Sequence, residues 1–146
     1  MAYAIAADFI KAFGERETLM LTNLDNPNST IINPVPLDKA LDDATAEIDT
    51  YIGSRYILPL NSTPSVVNRY CLDIARYMLD RIRSREDVRL RYEDALKWLG
   101  MLASGKVSIG ADLLGSSISQ TAPSLGASGA RTSVAPPIDL GGFRRG

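Results

Sequence analysis

A change of character after Gly105 constrains this chain more than any other feature. From Gly115 to Gly146, glycine, serine and proline make up 15 of 32 residues. Such a stretch cannot bury enough apolar surface to offset the entropy of ordering its own backbone. Yet Leu125, Val134, Ile138, Leu140 and Phe143 are spaced through it, and it closes on Phe143-Arg144-Arg145-Gly146. A segment of this kind takes shape by docking on something else. It reads as an arm with a reach on the order of 100 Å when extended.

The residues before it have the composition of an ordinary folded domain. The whole chain of 146 residues is 45% hydrophobic and 23% charged, with a net charge of −1. A core can be buried, and no global charge points to nucleic acid or membrane. Histidine is absent and Cys71 is the single cysteine. That removes histidine-based triads, histidine metal ligands, disulfide frameworks and cysteine-cluster metal sites. No catalytic residue, cofactor site or metal site is expected. The apolar opening Met1 to Ala7 lacks a basic leader and is cut short by Asp8 and Lys11. No apolar run nears the roughly 20 residues that span a bilayer. Both features predict a chain made in a cytoplasm-like compartment, with no membrane partner.

Helical spacing organises the domain. Phe9, Ile10 and Phe13 share one side of a short helix from Ala6 to Phe13 that Gly14 can end, and a second piece covers Glu15 to Leu21. Asn23 to Pro36 is rich in turn-formers and reads as loop, in which Ile31 and Ile32 are either anchors or a brief extended stretch. Pro36 suits the first turn of a third helix reaching about Tyr56, with Pro59 as its stop. Thr63 and Pro64 form an N-cap and first-turn pair for a fourth, whose apolar stripe runs from Val66 through Cys71 to Ile82. Ser84 and Asp87 make a variant capping box for a fifth, Arg85 to Ser104, with Gly105 as its end. Asp87 with Arg91 and Glu93 with Lys97 are i,i+4 pairs on its exposed sides. Val107 and Ile109 alternate with Ser108 and Gly110 and are compatible with a short strand. The fold class expected is all-α, a small bundle of four to five helices with an extended C-terminal arm; the units are residues 1–110 and 111–146.

Several patterns invite a chemical reading. Gly100 to Lys106 matches the first part of a phosphate-binding loop, but Val107 replaces the Ser/Thr that would hold Mg²⁺ and a helix precedes the motif instead of a strand. A helix C-cap explains it better. The acidic run Asp38, Asp42, Asp43, Glu47 and Asp49 lacks the spacing and the glycine of a calcium loop, so it reads as a solvated or partner-facing surface. Between residues 69 and 91 there are seven arginines (69, 76, 81, 83, 85, 89, 91) against Asp73, Asp80, Glu86 and Asp87. These either make local ion pairs at an inter-helix corner, or present a basic surface to the acidic helix of another copy or to nucleic acid. Leu90, Trp98 and Met101 lie away from the buried stripe of the fifth helix, which is therefore either enclosed on both sides or offers a partner surface. Cys71, inside an apolar stripe, reads as a small core residue.

The order of these features resembles a known family. Ala2-Tyr3-Ala4, Asp8-Phe9 and Phe13-Gly14-Glu15 are followed by Leu21-Thr22-Asn23. Then come Ala44-Thr45-Ala46-Glu47-Ile48-Asp49-Thr50-Tyr51-Ile52 and Arg55-Tyr56-Ile57-Leu58-Pro59-Leu60. Asp73-Ile74-Ala75-Arg76-Tyr77, Arg91-Tyr92-Glu93-Asp94-Ala95 and Ala103-Ser104-Gly105-Lys106 complete the series. Over about residues 1–110 the series is similar to the small virion proteins of Mu-like phages, a domain of unknown function, and more distantly to head–tail adaptors of long-tailed phages. The resemblance implies a non-catalytic connector in the virion neck, assembled in the host cytoplasm. It implies a homo-oligomeric ring, commonly of twelve copies, bound beneath the portal protein. The ring would extend the DNA channel, touch its DNA non-specifically and give a tail or tail-completion protein a docking surface.

Within that expectation, Asp38, Asp42, Asp43 and Glu47 of one copy meet Arg81, Arg83, Arg85 and Arg89 of the next. Ile138, Leu140, Phe143, Arg144 and Arg145 anchor the arm on a neighbour or on the portal. The competing reading is a small helical nucleic-acid-binding or regulatory protein, prompted by the same arginines.

Overall fold

The computed structural model describes residues 2–80, 82 and 85–111. By its internal contacts the chain divides into two units, Met1–Ala111 and Asp112–Gly146, and the described residues all fall in the first. The arm candidates Ile138, Leu140, Phe143, Arg144 and Arg145 lie outside the described residues, as do Arg81, Arg83 and the expected cap Ser84.

Five helices make up the described fold: α1 (Ala6–Phe13), α2 (Glu15–Thr22), α3 (Pro34–Ile52), α4 (Ser65–Leu79) and α5 (Glu86–Ala103). The all-α expectation is met, and no strand occurs among the described residues; Val107 and Ile109 belong to an irregular tail after α5. The three long helices pack on one another, and α1 and α2 close one side of them. The stripes read from helical spacing are the ones that pack. Ala44, Ile48 and Ile52 of α3, Val67, Cys71 and Ile74 of α4, and Ala95, Leu99 and Leu102 of α5 are all fully buried, with Phe9 of α1 added from the side. Each buried side chain of Val, Leu, Ile or Phe size contributes about 1.5–3 kcal/mol. This core therefore dominates the fold.

Helix ends depart from the sequence expectations for local reasons. α3 begins at Pro34, because Asn33 accepts from the Val35 amide at 3.1 Å and caps the helix two residues before Pro36. It ends at Ile52 and not near Tyr56. The chain passes through Gly53, where a Cβ would lie 2.9 Å from the Asp49 carbonyl oxygen and 3.2 Å from the Leu58 side chain. The tight turn after it sends Tyr56 into the core. α4 starts one residue later than expected: Pro64 is extended, and its carbonyl accepts from the Asn68 amide at 3.0 Å. α4 also stops at Leu79, so Ile82 is no part of the apolar stripe and is 62% exposed.

At the end of α5 the glycine cap is confirmed in full. Gly105 adopts φ +88, its amide donates to Leu102, and the Lys106 amide donates to Met101 at 2.8 Å. This paired arrangement closes a helix with a left-handed residue that glycine adopts without steric cost. The resemblance to a phosphate-binding loop is a by-product of that closure. Ile31, by contrast, does not anchor its loop: it is 75% exposed, and its carbonyl is what is engaged, by Asn23 and Ser29.

Candidate interaction surface

Two of the clustered arginines, Arg76 and Arg85, fold inward. Glu17 of α2 accepts from Arg76 Nε of α4 and, at 3.3 Å on each oxygen, from both terminal nitrogens of Arg85, the residue that precedes α5. Arg85 Nε also donates to Asp80 at 2.8 Å, and the Asp80 carboxylate is almost wholly buried. Arg76 lies over the Phe13 ring, 4.6 Å from its centroid. One carboxylate therefore ties α2 to the end of α4 and the start of α5. Burial raises the Glu17 pKa, but the hydrogen bonds from Arg76 and Arg85 outweigh it and hold the carboxyl below its ordinary value. The same contacts push the Arg85 pKa upward.

Sequence reading missed Glu17, although a signal existed. Residues 69–91 hold seven arginines and four acids, and an imbalance of this size in a buried corner requires a counter-charge from elsewhere in the chain. Helical spacing cannot say where that charge comes from.

The remaining members of the two candidate charge rows divide clearly. Arg89 pairs with Glu93 and with Glu86 on the exposed side of α5, so Glu93 does not use Lys97. Arg91 reaches across to Asp73 at 3.6 Å, and Asp87 lies 3.9 Å from Arg76, so the expected Asp87–Arg91 pair is replaced by two contacts to α4. Burial of Asp73 raises its pKa despite Arg91, Arg69 and Arg76 nearby.

On α3, Asp43 pairs with Lys39 at 2.7 Å. Glu47 accepts from the Tyr92 hydroxyl at 3.2 Å, while Tyr92 stacks on Tyr77 with centroids 4.0 Å apart and planes within 4°. Burial, then the Glu47 charge, pushes the Tyr92 phenol up to about 12. Asp49 accepts from the Tyr3 hydroxyl. Asp38 and Asp42 are exposed and have no partner among the described residues. Of the acidic row, the N-terminal half faces outward and the C-terminal half serves the fold.

The N-terminal segment is fastened to the same helices. Tyr3 donates its amide to Thr45 at 3.1 Å, and Asn68 donates to the Tyr3 carbonyl at 2.9 Å. Thr45 in turn meets Cys71 Sγ at 3.7 Å, and burial raises the thiol to about 11. Cys71 is an inert core residue.

The far side of α5 is partly covered. Tyr70 packs on Trp98 with centroids 5.0 Å apart, and Arg69 lies over Tyr70. Leu90 remains 46% exposed, and Met101 is half-buried. Among the described residues no group of three or more acidic or cysteine side chains is placed to hold a metal ion, and no helix is long and apolar enough to cross a membrane.

Comparison with known proteins adds a family. The profile described as "Bacteriophage Mu, Gp36" matches residues 3–125. The chain is 40% identical over 84 residues to "Mu-like prophage FluMu protein gp36" of Haemophilus influenzae, covering 58% of this chain and 60% of that protein. It is 35% identical over 75 residues to "Gene product J" of Escherichia phage Mu, covering 51% and 53% respectively. The chain thus matches little more than half the length of these curated relatives.

Proposed function

Since the chain belongs to the bacteriophage Mu Gp36 family, we propose that it is a structural head–tail connector of a tailed phage. In this reading copies form a ring under the portal, extend the DNA channel and present a docking surface to the tail. The role is architectural and not catalytic.

The observation that supports this best is the division of charge over a fold held rigid from within. Arg76 and Arg85 are used to lock α2, α4 and α5 together, while Asp38 and Asp42 stand outward on α3. A domain stiffened in this way can be placed in a ring as one body, with the acidic edge available to a neighbour. The same use of Arg76 and Arg85 weakens the nucleic-acid-binding alternative, because those two guanidinium groups are committed to carboxylates.

The subunit contact first expected, with Arg81, Arg83, Arg85 and Arg89 opposite Asp38, Asp42, Asp43 and Glu47, is refined accordingly for the described members. Arg85 is a structural residue, and the carboxylates of the acidic helix left for a neighbour's cation are Asp38 and Asp42. Reversing both (Asp38→Lys with Asp42→Lys) should leave the domain folded and reduce assembly, measured by sedimentation of the full chain. Imaging of intact particles tests the location directly. Density for this chain between capsid vertex and tail supports the proposal, and density elsewhere in the particle rejects it.

A further inference from the structure

Seven arginines fall between residues 69 and 91, and among the described ones the fold leaves two with charge to spare. Arg76 and Arg85 are committed to Glu17 and Asp80, and Arg89 to Glu86 and Glu93. Arg91 touches one carboxylate, Asp73, at 3.6 Å, with its side chain 59% exposed. Arg69 is exposed, lies over the Tyr70 ring 4.8 Å from its centroid, and makes no ion pair among the described residues. Burial raises the Asp73 pKa while the charges of Arg91 and then Arg69 oppose it, so both cations stand beside one buried carboxylate. Two guanidinium groups against one carboxylate leave a positive charge uncompensated.

The same patch carries an aromatic platform. Tyr70 packs on Trp98 with centroids 5.0 Å apart, and both are half-buried. Trp98 lies two turns beyond Arg91 and so shares its side of α5. Arginine, tyrosine and tryptophan are the residue types that the centres of interfaces concentrate. A matching surface lies on α3. Val35, Asp38 and Asp42 occupy one exposed face of that helix, and Val35 is 74% exposed. Two carboxylates one turn apart, about 5–6 Å between Cβ atoms, preceded by an aliphatic side chain, complement two arginines beside an aromatic pair.

We infer that Arg69 and Arg91 of one copy receive Asp38 and Asp42 of a second copy, with Val35 of that copy seated on the Tyr70–Trp98 pair. The inference rests on the connector reading and supplies the cations that meet the outward acidic face.

A copy cannot make this contact within itself. Cys71 of α4 meets Thr45 of α3, whereas Asp73, two residues on, points about 200° further round α4, where Arg91 of α5 reaches it. The acidic face of α3 is in turn opposite its buried stripe of Leu37, Leu41, Ala44 and Ile48. Two different faces of one unit that fit each other make a head-to-tail contact, and such contacts close into rings when the rotation permits. Nucleic acid suits the patch less well. Asp73 lies beside the two arginines and Asp94 is exposed one turn along α5, so a row of phosphates would meet acids, while two carboxylates at fixed spacing need only the arginines.

Charge exchange in the full chain tests this, read by sedimentation. Asp38→Lys/Asp42→Lys protein and Arg69→Glu/Arg91→Glu protein should each lose self-association. An equimolar mixture of the two should regain it, because every contact in an alternating assembly then joins opposite charges. Should circular dichroism show that Arg91→Glu disturbs the fold, Arg69→Glu alone replaces the double variant in the same exchange. Arg69→Ala, which removes no ion pair within the described domain, should weaken self-association by about tenfold with helix content unchanged. A mixture of folded variants that fails to assemble would overturn the pairing. Undiminished assembly of the Arg69→Glu/Arg91→Glu protein would overturn the patch and leave the connector reading intact. If that variant also loses binding to a duplex DNA oligonucleotide that the parent binds, the patch belongs to nucleic acid. A parent chain that stays monomeric at every concentration would reject the inference and the connector reading together.

Discussion

The guanidinium of Arg55 donates to the Leu102 carbonyl at 3.0 Å, so a side chain from the turn after α3 closes the C-terminal end of a helix 47 residues further on. The same nitrogen donates to Val107 at 3.1 Å, and the Tyr56 hydroxyl beside it accepts from the Ile109 amide at 3.3 Å. A cation at this place satisfies carbonyls that the helix leaves open and opposes the negative end of its dipole. The irregular tail after α5, as far as Ile109, is thereby fixed to the bundle.

Arg55→Met should destabilise the domain by about 1.5–3 kcal/mol, the range for a hydrogen bond to a charged group. Urea titration followed by circular dichroism measures this. Residues 106–110 should lose amide-exchange protection before the rest of the domain does.

Gly105→Ala should cost about 1 kcal/mol, since φ +88 is strained for any residue with a Cβ. Gly100→Ala, inside α5 and with open space around its Cβ, should stabilise by a similar amount. Opposite shifts of the thermal midpoint for two glycines five residues apart would separate the capping role from a phosphate-binding one.

Glu17→Gln should destabilise by about 2–4 kcal/mol, because it leaves Arg76 and Arg85 largely buried without their shared counter-charge. Arg89→Met, whose partners Glu86 and Glu93 are exposed, should leave the denaturation midpoint unchanged. Comparable losses from both variants would contradict the division between structural and surface arginines.

Acid should act through the same carboxylate. The Glu17 pKa is lower in the folded chain than its ordinary value of 4.5, so its contribution is complete above that value and is lost as the pH falls through the folded pKa. Asp73 has the opposite sign: its raised folded pKa means the native state takes up that proton first, which partly offsets the loss. Urea midpoints measured from neutral pH downward should decline less steeply for Glu17→Gln than for the parent, and more steeply for Asp73→Asn.

Cys71 should resist thiol reagents in the native state at pH 8 and react fully in denaturant, because burial raises its pKa to about 11. Rapid native labelling would show that the Tyr3–Thr45–Asn68 cover over it opens readily.

Much of the bundle was legible in the order of residues. α1 keeps its expected bounds, α2 is longer by one residue, and the apolar stripes of α3, α4 and α5 are buried as their spacing required. Periodicity reports burial because a helix places every third or fourth side chain on the same face. Gly105 was readable for a related reason: a left-handed cap is a local demand that one residue type meets at low cost. The ends of α3 and α4 were not, because Tyr56 is drawn into the core by neighbours far along the chain, and Ile82 continues a stripe whose helix has already stopped.

The sequence by itself therefore determined which faces are buried, where α1 and α5 stop and which composition the final segment has. Tertiary structure alone decided which charges pair. Glu17 is 59 residues from Arg76 and 68 from Arg85, and Arg55 reaches a carbonyl on another helix. No periodicity records such distances, because an ion pair depends on where folded backbones bring two side-chain tips together. Arg76 and Arg85, which looked like part of a surface, became an internal lock for that physical reason, and the acidic helix kept Asp38 and Asp42 to offer outward.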